Sequence, residues 1–126
     1  MFNKTPLESE EQIACVQYLE LLKTKGNEVT YTSIPNSTYT KSWKVKKRNK
    51  EQGLKAGFPD MVVIINQQLI FVELKRTSGG IVSKVQKDWI EALKNAGQVT
   101  KVCKGFAEFK TVVDEYIKTK LTNIYE

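Results

Sequence analysis

Two acids and an amine occur where the surrounding apolar pattern least favours them. Asp60 opens the run Asp60–Ile65 (DMVVII), directly after Phe58-Pro59, and Glu73 and Lys75 close the run Leu69–Lys75 (LIFVELK). Side chains alternate along a strand, so Glu73 and Lys75 share one face, about 6.5–7 Å apart, while Val72 and Leu74 take the other. A tight turn at Asn66-Gln67-Gln68 folds the second run back along the first and sets Asp60 beside Glu73 and Lys75. Two carboxylates and an ammonium then converge at one sheet end. Mg²⁺ takes hard oxygen ligands at about 2.0–2.1 Å and keeps several waters, so two carboxylates and a backbone carbonyl suffice. Such an ion activates water and stabilises charge on an attacked phosphate, and a neighbouring lysine can orient or help deprotonate that water. The chemistry fits magnesium-dependent phosphodiester hydrolysis. Spacing alone suits an Asp–Glu–Lys ion-pair cluster capping the sheet end nearly as well.

The rest of the composition narrows the alternatives. The chain has 126 residues, 40% hydrophobic and 27% charged, and no histidine. That length and balance predict a single globular domain over residues 1–126. The missing histidine excludes Ser-His-Asp triads, Cys-His nucleophiles and His-ligated zinc. Cys15 and Cys103 each sit in an apolar pattern and read as small buried hydrophobes rather than a disulfide. No apolar run is long enough for a transmembrane helix, and Met1–Glu11 lacks the apolar stretch of a secretory signal. The expectation is an intracellular, cytoplasmic protein with no membrane partner.

The net charge of +6 is concentrated in one place. Lys41, Lys44, Lys46, Lys47, Arg48, Lys50 and Lys55 share the segment 41–55 with one acid, Glu51, and the remaining charges balance. Lys and Arg neutralise phosphates and release counterions, so the segment predicts a nucleic-acid contact, unless it is only a solvated helix face or loop. Trp43 and Tyr39 beside it could stack on an unpaired base, or pack on the core.

The elements that must position these groups follow from periodicity. A helix is predicted over Ser9–Lys23, with Ser9 and Gln12 as a capping box and Ile13, Val16, Leu19 and Leu22 on one stripe. Glu28–Ile34 alternates like a strand, and Val45–Lys55 reads as a helix stopped by Gly57. After the hairpin, whose apolar density suggests strands covered on both faces, a helix spans Ser83–Asn95, a strand Gln98–Cys103 and a last helix Phe106–Lys118. The order α-β-α-β-β-α-β-α predicts an α/β sandwich around a mixed sheet of about four strands.

Gly57-Phe58-Pro59-Asp60, an apolar strand, a turn and Val72-Glu73-Leu74-Lys75 resemble the PD-(D/E)xK nuclease signature, with 12 residues between Asp60 and Glu73. More narrowly, the chain resembles the virus-type replication-repair nuclease (VRR-NUC) family from about Ser9 to Val113. Further marks are Glu10-Glu11-Gln12-Ile13, Ile34-Pro35-Asn36 and Ser83-x-x-Gln86-x-x-Trp89 with Leu93 and Gly97. The Lys/Arg-rich insert before Gly57 departs from the family pattern. The resemblance implies a restriction-endonuclease-like core. It implies Asp60, Glu73 and the Leu74 carbonyl as ligands of Mg²⁺, with Mn²⁺ as substitute, and Lys75 as the catalytic lysine. Glu10 would bind the metal directly or through water; Glu8 and Glu11 compete, but the E-x-Q-I spacing favours Glu10. Gln86 would reach water or phosphate, although Ser83-x-x-Gln86 also reads as a capping box. Asn36 would position Lys75 or DNA, or simply end a strand. Phosphates would lie on the segment 41–55 and on Arg76 and Lys84. The implied activity is structure-selective endonuclease action on branched DNA, above all by a homodimeric Holliday-junction resolvase in a bacterial or phage-infected cell. A flap or nicking nuclease and a non-catalytic DNA-binding module are the alternatives.

Overall fold

The computed structural model describes residues 6–35 and 41–125. The elements run α1 (Glu8–Thr24), β1 (Val29–Ser33), α2 (Trp43–Glu51), β2 (Met61–Ile65), β3 (Gln68–Lys75), α3 (Lys84–Asn95), β4 (Val99–Lys104) and α4 (Gly105–Tyr125), in the order expected. One mixed sheet has strand order β1-β2-β3-β4, antiparallel except for the parallel β3–β4 pair. The crossover between those parallel strands carries α3, as a parallel connection requires. This is the α/β fold, a four-stranded mixed sheet flanked by helices, that the sequence predicts. Asn36 and Tyr39 lie outside the described residues.

α1 and α4 pack on each other and on one sheet face. There Cys15 and Leu19 from α1 and Phe109 and Val113 from α4 meet Met61, Val63, Ile70, Val72 and Leu74. Each fully buried side chain of this size contributes about 1.5–3 kcal/mol. Both thiols are free and buried in this core; burial pushes Cys15 up to about 12 and Cys103 up to about 11. They are hydrophobes here, not nucleophiles. The opposite face is covered only in part. α3 packs against β4, while Ile64 on β2 is exposed, so the apolar strands are not enclosed on both sides as expected.

Several boundaries differ from expectation for identifiable reasons. α1 starts at Glu8 with Leu7 as its N-cap and no side-chain cap, so Ser9 and Gln12 form no capping box. Glu8, Glu10 and Glu11 in the first turn suit the positive end of the helix dipole instead. Its buried stripe is Glu11, Cys15, Leu19 and Leu22, and Ile13 is exposed. α2 is shifted forward: Ser42 accepts a bond from the Val45 amide, and the chain turns at Gly53, φ 83°. Gln68 belongs to β3, because Asn66 and Gln67, both at positive φ, complete a two-residue turn. Among the described residues no helix is long and apolar enough to cross a membrane.

Candidate active site

The hairpin register decides the site. Met61 faces Val72 across the β2–β3 ladder, so the residues just beyond, Asp60 and Glu73, lie side by side at the sheet end. β2 stops there, and the Asp60 side chain continues the ladder in its place: Oδ2 accepts the Leu74 amide at 2.7 Å. The Asp60 carbonyl accepts the Ile34 amide, also at 2.7 Å, which ties β1 to the same corner. Since Val72 and Leu74 point into the α1/α4 core, Glu73 and Lys75 point to the other face. Lys75 Nζ lies 3.2 Å from Glu73 Oε1.

Glu73 is 1% exposed; its Oε1 pairs with the Lys75 ammonium, and its Oε2 accepts no hydrogen bond. A buried carboxylate served by one ion pair alone is costly. Burial, and then the charge of Asp60, push Glu73 up to about 7, while Lys75 acts in the opposite direction. Two neighbouring carboxylates, one of them buried with a single cationic partner, suit a hard cation. The donor set therefore fits Mg²⁺ or Mn²⁺, with Asp60 and Glu73 as side-chain ligands. Among the described residues no third acid or thiol joins them as a ligating set.

The residues before Asp60 are packed to hold it. Pro59 is fully buried. Phe58 stands edge-on to Phe71 (5.5 Å) and to Trp89 of α3 (4.9 Å), and Trp89 Nε1 donates to the Ala56 carbonyl at 2.9 Å. Gly57 sits at φ 88°, and a Cβ there would fall 2.4 Å from Val85 Cγ1. Glycine is thus required for α3 to close on the strand entry.

The other candidate residues are distributed as follows. Glu10 is exposed in the first turn of α1. Gln86 completes a capping box on α3: its Oε1 accepts the Ser83 amide at 2.9 Å, and Ser83 Oγ accepts the Gln86 amide at 3.2 Å. Lys41, Lys44, Lys46, Lys47, Arg48 and Lys50 are exposed on or beside α2. Lys55 is exposed too, its ammonium 6.0 Å from the Trp89 ring centroid. Arg76 is half-buried with Nε lacking a partner, and Lys84 pairs with Asp88 at 3.1 Å.

Sequence reasoning weighed Glu11 and set it aside, yet it is the buried acid of the first helix. It accepts the Phe106 amide at 2.5 Å and the Thr77 hydroxyl at 3.1 Å, joining α1 to the start of α4 and to the loop after Lys75. The available signal was an acid on the apolar stripe shared with Cys15, Leu19 and Leu22.

The VRR-NUC domain model matches residues 7–107. A solved structure described as a VRR_NUC domain protein is similar over 91% of this chain and 91% of its own, with 25% sequence identity and a TM-score of 0.74. A second, described as a VRR_NUC domain, is similar over 86% of this chain and 96% of its own, at 21% identity and a TM-score of 0.58. No curated protein matches the chain.

Proposed function

We propose that this chain, which belongs to the VRR-NUC nuclease family, is a Mg²⁺-dependent endonuclease that hydrolyses phosphodiester bonds in branched DNA. We propose further that it works as a homodimeric Holliday-junction resolvase in the cytoplasm of a bacterial or phage-infected cell. The observation that carries the reading is the buried Glu73 carboxylate, held beside Asp60 with Lys75 as its ion-pair partner and with Oε2 lacking a donor.

Asp60 and Glu73, with the Leu74 carbonyl, would hold the metal. A bound divalent cation supplies Lewis-acid stabilisation of phosphate charge and a water of lowered pKa. Asp60 is held at the strand entry by the Leu74 amide, which fixes its free oxygen against rotation. Lys75 places a positive charge beside Glu73, where it orients the attacking water and offsets charge on the scissile phosphate. The exposed cations of segment 41–55, with Arg76, would take flanking phosphates. Hydrolysis leaves a 5′-phosphate and a 3′-hydroxyl.

The test is cleavage of a labelled four-way junction with and without Mg²⁺. Asp60→Asn and Glu73→Gln are expected to lose cleavage by on the order of a hundredfold or more. Variants that cut like the unmodified chain would overturn the site. Cleavage confined to flaps or single strands would replace the resolvase reading with that of a flap or nicking nuclease. Binding without cleavage under all metal conditions would indicate a non-catalytic DNA-binding module.

A further inference from the structure

We propose that α2 is a reader of unpaired DNA, in which Trp43 stacks on an exposed base while Lys46, Lys47 and Lys50 hold the phosphates of the same strand. The inference deepens the proposed function, resting on the reading that the substrate is DNA, and it assigns the recognition of branched structure to one helix.

α2 is unlike the other helices of the fold. It brings its backbone close to no other helix or strand, and, as in α3, none of its residues is buried. Its nine residues carry five cations against Glu51 alone, and Glu51 pairs with Lys47 at 3.8 Å. Val45 and Asn49 are its half-buried positions and mark the side turned toward the protein. Trp43, Lys46, Lys47 and Lys50 follow the spacing 0, 3, 4, 7, which groups all four in one stripe centred about 130° around the helix from Val45 and Asn49. Trp43 is 84% exposed there. A tryptophan at the end of a lysine stripe, facing solvent, contributes nothing to the core.

The dimensions and chemistry suit a nucleic-acid strand. From Trp43 to Lys50 the helix rises about 10 Å, the axial length of about three phosphates on one strand. Every base offers a π-face, so an indole platform requires only that the base be out of its stack, as at a junction, fork or bulge. A membrane surface fits less well, because an interfacial helix needs an apolar face and α2 has only Trp43 and the half-buried Val45. α2 also leads into the strand entry. The chain beyond it runs through Lys55 and Ala56, both in contact with Trp89, to Phe58 and Asp60. A base captured by α2 is therefore linked to the candidate active site through a short segment that touches Trp89.

The experiment measures binding, not cleavage, using the full chain in excess chelator. Two labelled probes are compared: a fully paired duplex, and the same duplex with an internal bulge carrying 2-aminopurine. The unmodified chain should bind the bulged probe more tightly and quench the 2-aminopurine. Trp43→Ala should lower affinity for the bulged probe on the order of tenfold, abolish the quenching and leave paired-duplex affinity unchanged. Trp43→Phe should restore most of both. Equal loss on the two probes, or no loss on either, would overturn the proposal. If Trp43 discriminates between the probes while no junction is ever cut, the nuclease reading fails and this one stands. If neither probe binds, both fail together.

Discussion

Burial and the Asp60 charge raise Glu73 to about 7 from an ordinary 4.5, and this has a consequence for stability. Between about pH 4.5 and 7 the folded chain retains a proton at Glu73 that the unfolded chain has released. Stability of the metal-free protein should therefore fall as pH rises through that window and level off above it. Thermal melts in chelator are expected to show a loss on the order of 1–3 kcal/mol. Glu73→Gln has no carboxyl to titrate and should flatten that slope while losing cleavage. A variant with the same slope as the unmodified chain would remove Glu73 as its source. Gly57 offers a second single-residue prediction, with Gly53 as its control. Both have positive φ, but a Cβ at Gly53 meets nothing within 4 Å whereas one at Gly57 strikes Val85. Gly53→Ala should cost about 1–2 kcal/mol from backbone conformation, and Gly57→Ala clearly more. Equal destabilisation in urea melts would mean that α3 does not require that close approach.

At the scale of elements, the charge of α2 should act separately from its ring. Charge reversal at Lys46, Lys47 and Arg48 is expected to weaken binding to every DNA probe and to flatten the dependence of log affinity on log salt. An unchanged slope would leave the patch as solvated surface. The hairpin was the most legible element, because two apolar runs around a short turn have few alternatives. The pattern makes the turn one residue too long, counting Gln68 in it rather than in β3, yet pairing the two runs still sets Asp60 beside Glu73. Helix ends were less legible. Ser9 and Gln12 have the spacing of a capping box, yet the chain is already helical at Glu8, so Ser9 lies inside the helix. Ile13 was misplaced because a buried acid, Glu11, takes the position an apolar residue would otherwise mark. What Glu11 binds, the Phe106 amide and the Thr77 hydroxyl, depends on elements about 65 to 95 residues away. Local pattern carries no such information. Gln86 had two roles on one spacing, and the capping box is the one its side-chain oxygen takes.

At the scale of the whole molecule, one sheet separates the apolar core from the candidate site. The face under α1 and α4 is a continuous apolar core, and the opposite face carries the acids and the lysine under partial cover from α3. The core and the candidate site thus lie on opposite sides of β3, whose alternate residues serve each. A four-way junction presents two symmetric strands, so paired cutting calls for two such sites related by a two-fold axis. Sedimentation at micromolar concentration should give the mass of a dimer, and a monomer there would contradict paired cutting. The most direct test of the central claim is calorimetric titration of the DNA-free protein with Mn²⁺. Saturable binding by the unmodified chain, lost in both Asp60→Asn and Glu73→Gln while each remains folded, is the expected result. Binding that survives both substitutions, or no binding by the unmodified chain, would contradict it.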